Sequence, residues 1–194
     1  QGVLNQIFLG RLMTRPEGLS TVPELQRADG SPTFDTAHLD YDGNSQGGIM
    51  GGSYMSISTD VTRGLLGETG MSYNLLLNRS QDWPAYEIML ESGFSFDGIA
   101  VQLMLGAIQM AWDRIEPGGL TPYMTEDRLP GTPAHHVLLH IARGDHQVTP
   151  FGAHIMSRAI GAVQLASDDA SQPVFEDYYG IETKKAPLTD QSAL

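Results

Sequence analysis

The sequence predicts an α/β fold built on a parallel sheet flanked by helices. Three observations carry that expectation. Val137, Leu138, Leu139 and Ile141 form a short apolar run of the kind found in strands buried on both faces. Apolar residues recur at helical spacing near the start, in the middle and late in the chain. A glycine-rich passage, Gly43 to Gly52, marks the point where an extended segment hands over to a helical one.

Residues 3–13 put Val3, Leu4, Ile7, Phe8 and Leu12 on one stripe, which predicts an amphipathic helix. From Thr14 to Thr33 that period is lost and Pro16, Gly18, Pro23, Gly30 and Pro32 accumulate, so a long surface loop is expected. Residues 36–41 are a strand candidate; Ile49, Met50, Tyr54 and Met55 then follow at helical spacing. Residues 63–67 are a second, weaker strand. Residues 72–83 lack a clean period, and helical patterns return at 84–90 and at 99–115, the latter with Val101, Leu105, Ile108 and Trp112 on one stripe. Residues 137–141 give the clearest strand, 151–165 a helix, and 167–194 a polar, irregular tail. Strands separated by helices imply right-handed βαβ units and a sheet covered on both faces. The organisation expected is a core part at 1–71, a helical cap or insertion at 72–130, and a second core part at 131–194.

With 194 residues and 41% hydrophobic content, the chain has material for one sizeable core. Eleven basic residues stand against 23 acidic ones, a net charge of −12, which repels a polyanion and argues against nucleic-acid binding. No apolar run reaches the roughly 18 to 20 residues that a membrane-crossing helix needs. The absence of cysteine removes disulfides, thiolate catalysis and cysteine-ligated zinc, and leaves both a secreted and a cytoplasmic setting open.

Gly43-Asn44-Ser45-Gln46-Gly47 has the pattern glycine, any residue, serine, any residue, glycine, at a strand-to-helix junction. A serine on such a turn lifts its hydroxyl clear of the sheet, while Gly43 and Gly47 let the two backbones pass closely. The N–H of Gln46 and the positive end of the helix dipole then point where a carbonyl oxygen would become negative. A flexible glycine turn or an anion cradle would use similar residues, but the Gly-Lys-Ser/Thr ending and the GxGxxG spacing of phosphate loops are both missing.

Asp145 follows the strand at 137–141, and ligand sites of open α/β sheets lie at that carboxyl edge. A carboxylate there can orient an imidazole that takes a proton from serine, although an Asp after Gly also closes turns. Gly43 to Gly48 together with Val137 to Val148 resembles the nucleophile elbow and acid-bearing strand end of the α/β-hydrolase superfamily, especially its esterase-like members. The resemblance implies a partial α/β-hydrolase fold, Ser45 as nucleophile, Asp145 as acid, the Gln46 N–H as oxyanion donor, and residues 72–130 as a cap over an acyl pocket. It implies a small-molecule ester or acyl substrate and requires no cofactor.

The superfamily supplies its histidine base after one further strand beyond the acid, and a second oxyanion donor and several strands ahead of the elbow. Of the histidines after Asp145, His146 adjoins the acid and His154 opens the next helix, so both are weak candidates for the base. The expectation is therefore a piece of a larger fold, completed by further segments or chains, with the base outside these residues. His135, His136 and His140 read as core or edge histidines rather than a chelate, because alternation separates His136 from His140 across Leu138. Asn78-Arg79-Ser80 matches a glycosylation sequon of little specificity. Met50, Met55, Met104 and Met110 read as packing residues or as lining of an apolar pocket, and Asp60, Glu68, Asp168, Asp169, Glu176 and Asp177 as solvated charge. Ester hydrolysis through an acyl-enzyme is the first functional expectation; a noncatalytic hydrolase-like binding module is its rival.

Overall fold

The computed structural model of the chain describes residues 1–94, 97–166 and 178–194. The architecture is mixed α/β, a small parallel sheet with helices packed on it. Strands β1 (Tyr41–Asn44), β2 (Arg63–Gly67) and β3 (His136–His140) form a three-stranded sheet in that order, with both pairings parallel. Helix α1 (Gly2–Thr14) precedes β1, and α2 (Gln46–Ile57) carries the chain from β1 to β2. The excursion from β2 to β3 holds α3 (Tyr73–Leu76), α4 (Trp83–Gly93), α5 (Gly98–Trp112) and α6 (Pro117–Leu120). Helix α7 (Pro150–Ala159) and a short parallel pair, β4 (Gln164–Leu165) with β5 (Thr183–Lys184), complete the described elements.

Register explains where the core sits. Tyr41 lies opposite Gly64 and Gly64 opposite Val137, while Gly43, Leu66 and Leu139 align one step on. Alternation therefore gathers these residues on one face, where Tyr54 and Met55 of α2 and Met156 of α7 bury them. Val3 and Ile7 bring α1 onto the same cluster, but Leu4, Phe8 and Leu12 of the expected stripe stay about half exposed. A second, smaller cluster of Trp83, Val101 and Leu105 holds α4 and α5 together.

Several sequence expectations are corrected. Among the described residues the sheet is covered on one face only: Asp42, Arg63, Leu65, His136 and Leu138 alternate onto the other and line an open concavity of about 560 Å³ that also includes Leu188 and Asp190. β1 starts at Tyr41 and not near residue 36, because Tyr41 to Asn44 are the residues that find ladder partners on β2. Asp, Gly and Asn are poor strand formers, so pairing and not propensity sets this strand. Helix α7 stops at Ala159, where Gly161 takes the left-handed conformation at φ 65°, and Gln164–Leu165 is strand instead of helix. The tail is not wholly irregular. Ala193 donates to Val137 and accepts from Leu139, while Leu194 donates to Val163, so residues 192–194 lie extended between β3 and β4. The acidic residues Asp168, Asp169, Glu176 and Asp177 fall outside the described residues. Asp60 is not plain solvated charge, since it pairs with Arg11 at 3.3 Å. Met55 is fully buried as expected, but Met110 is 73% exposed. Among the described residues, no single helix is long and apolar enough to cross a membrane.

Candidate active site

The end of β1 is bound tightly into the turn that follows. Tyr41 donates its hydroxyl hydrogen to the Gly47 carbonyl at 2.7 Å, and the Ser45 N–H donates to the Gly67 carbonyl at 2.9 Å. Between these bonds Ser45 adopts φ 56° and ψ −119° as the residue preceding α2. A non-glycine residue rarely enters that region, at a cost of about 1–3 kcal/mol that surrounding contacts must offset. Ser45 is exposed, so the strained turn presents its hydroxyl to solvent and not to the core.

The clearance expected of Gly43 and Gly47 is divided differently. A methyl group on Gly43 would come within 2.6 Å of the Gly47 oxygen, whereas one on Gly47 would meet only the Tyr41 hydroxyl, at 3.8 Å. Gly48 is the second tight position, because a side chain there would strike the Gly67 carbonyl of β2. Small size is thus needed where α2 crosses β2.

A cavity of about 380 Å³ opens at the carboxyl ends of the three strands. Ser45 and Gln46 enter it from the β1–α2 turn, Glu68 from the residue after β2, and Asp145, Gln147 and Val148 from the loop after β3. Tyr73, Leu76 and Leu77 wall it from the α3 side. Ser45 and Asp145, about 100 positions apart in sequence, therefore share one chamber at the sheet edge where α/β proteins bind ligands. The Gln46 N–H belongs to the first turn of α2, whose amides have no acceptor inside the helix.

Asp145 is half-buried, and its Oδ1 accepts from the N–H groups of Gln147 at 2.8 Å and Val148 at 3.1 Å. The carboxylate closes the turn that carries it; because both bonds end on one oxygen, Oδ2 keeps its acceptor capacity. The Gln147 side-chain carbonyl accepts from the Gln81 N–H at 3.0 Å, linking this loop to the segment before α4.

None of the six histidines lines the cavity, and all six are among the described residues. His146 is exposed beside Asp145. His154 stacks on Tyr178 with ring centroids 3.9 Å apart, and burial lowers its pKa. His135 is buried with its ring nitrogens facing the carbonyls of Ser58 and Met124, and burial likewise lowers its pKa. His38 pairs with Asp35 at 2.8 Å. Among the described residues no group of three or more histidine or acidic side chains could hold a metal ion.

Glu68 is the cavity residue that sequence reasoning missed. It takes φ 49°, and its Oε2 accepts from the Ala142 N–H at 3.2 Å, joining the end of β2 to the loop after β3. The argument that singled out Asp145, a carboxylate just past a parallel strand, applies equally to Glu68 after residues 63–67.

The fold and cavity define a mixed α/β protein with a ligand-sized chamber at the carboxyl edge of its sheet. No protein-family profile, curated protein or solved structure matches the chain.

Proposed function

We propose that this chain carries the nucleophile and the acid of a serine hydrolase related to the α/β-hydrolase superfamily, acting on carboxylic esters through an acyl-enzyme. The observation that carries the reading is Ser45, a non-glycine residue at φ 56° on a strand-to-helix turn, in the same cavity as Asp145. In the proposed reaction the Ser45 Oγ attacks the ester carbonyl carbon, and the Oγ proton passes to a base. The carbonyl oxygen gains the negative charge and accepts from the Gln46 N–H. Collapse expels the alcohol, which takes up the proton from the base; water then repeats the sequence and releases the acid. Asp145 orients the base through Oδ2. Because no histidine of these residues lines the cavity, the base comes from outside them.

A fluorophosphonate reagent applied to the full-length protein, with peptide mapping, tests this. Modification should fall on Ser45, vanish in Ser45→Ala, and slow by up to about four orders of magnitude in Asp145→Asn. Ser45→Gly should also go unmodified while gaining about 1–2 kcal/mol of stability as the backbone strain is relieved. A folded protein that resists the reagent would favour the second reading, a noncatalytic ligand-binding module, for which the missing cavity histidine speaks.

A further inference from the structure

A second cavity, of about 330 Å³, lies against the first. Tyr73 and Leu77 line both chambers, so the two adjoin along these side chains. The chambers differ in chemistry. The Ser45 chamber collects Asn44, Gln46, Glu68, Asp82 and Asp145, whereas the second is lined by Leu90, Leu105, Ile108 and Trp112, with no charged side chain among the described residues of its lining. At that shared boundary the Tyr73 hydroxyl donates to the Met50 sulfur at 3.2 Å and the Tyr73 ring meets Trp112 edge-on at 6.0 Å. A charged substituent placed there would lose hydration with no opposite charge on the described lining to offset it, whereas a hydrocarbon chain gains by leaving water. At the outer end Tyr86 and Met89 also line the chamber and are 48% and 64% exposed, which leaves it open to solvent.

We infer that the ester attacked at Ser45 carries an unbranched apolar chain, which runs past Tyr73 and Leu77 into the cleft between α4 and α5. This rests on the serine hydrolase reading and adds the substrate class to it. The same chain could belong to the acyl or to the alcohol half of the ester, and phosphonate reagents separate the two. A chain on phosphorus stands for the acyl half and a chain on the ester oxygen for the alcohol half; in each case the Ser45 Oγ–P bond forms, the P–F bond breaks, and fluoride and the hydroxyl proton are released.

The rate of Ser45 modification in the full-length protein should rise about fourfold per added methylene in one of the two series, until the chain fills the cleft. Met89→Lys puts an ammonium at an exposed position on the lining and should flatten that rise. Titration with straight-chain alkanols, read by the tryptophan emission to which Trp112 contributes, reports occupancy of the cleft independently of Ser45. Modification at Ser45 with no dependence on chain length in either series overturns the inference and leaves the hydrolase reading intact. Emission changes that grow with alkanol length, without modification by any reagent, overturn the hydrolase reading and the inference together, and leave the cleft as an apolar site of a binding module.

Discussion

Helices α2 and α5 are written in nearly the same alphabet and behave as opposites. Neither contains a charged residue, and both mix glycine with large apolar side chains. Yet α2 is buried along most of its length, from Gly48 to Ser56, while α5 buries only Val101 and Leu105 and leaves Ile99, Leu103 and Met110 more than 70% exposed. Glycine accounts for much of the contrast. In α2, Gly48, Gly51 and Gly52 face β2, the Tyr41 ring and Met156, so the helix settles onto its neighbours; at Gly98 and Gly106 of α5 an added methyl would meet nothing within 4 Å. Composition alone does not tell a helix seated at a strained turn from one that borders a cleft. The neighbours decide.

The comparison can be broken at α2 first. Gly48→Ala forces a methyl group into the Gly67 carbonyl and should cost about 3 kcal/mol or more, read as a large fall in melting temperature. An unchanged melting curve would mean that the crossing of α2 over β2 is not tight.

The next effect lies at the seam between the two regions, where Glu116 precedes α6. It is fully buried; its Oε1 accepts from the Gly118 N–H and the Gln109 amide, both at 2.8 Å, and its Oε2 has no partner among the described residues. Burial raises its pKa from 4.5 to about 7; hydrogen bonds from Gly118 and Gln109 pull the other way, and nearby Asp113 adds to the rise. Between those two values the folded protein holds a proton that the unfolded chain releases. Glu116's contribution to stability is therefore greatest below pH 4.5, falls as pH climbs toward 7, and stays low above it, by up to about 3 kcal/mol in all. Glu116→Gln should flatten that slope in denaturant melts across the window; an unaltered slope would place the titration elsewhere.

The smallest change sharpens the contrast from the other side. Gly106→Ala, the same substitution as at Gly48, should stabilise by about 0.5–1 kcal/mol, because it adds helix propensity and meets no neighbour. A rise in melting temperature here beside the fall at Gly48 would separate the two helices by sign.

Much of the sheet was legible in the sequence, for physical reasons. Residues 63–67 coincide with β2, and the run at 137–141 falls within one residue of β3, since apolar density marks a buried strand. β1 was misplaced because its Asp, Gly and Asn carry no strand signal of their own and are held by their partner. The turn at Ser45 was readable from glycine spacing, but the division of clearance between Gly43 and Gly48 depends on how α2 crosses β2, which no local pattern encodes. Glu68 was passed over as surface charge even though its position one residue after a strand was in plain view. The open second face of the sheet was misread because an apolar run does not say which of its alternating sides will be covered; Leu138 is 42% exposed within the same run that buries Val137 and Leu139.

Gln147 links two segments that the fold keeps on different elements. Its main chain helps to anchor the carboxylate of Asp145, while its side chain holds the amide of Gln81 at the threshold of α4. Any displacement of that threshold away from the sheet works against a hydrogen bond worth about 1 kcal/mol, and the same residue's main chain holds the Asp145 carboxylate. The position of the segment before α4 and the placement of the Asp145 carboxylate are thus joined through a single residue.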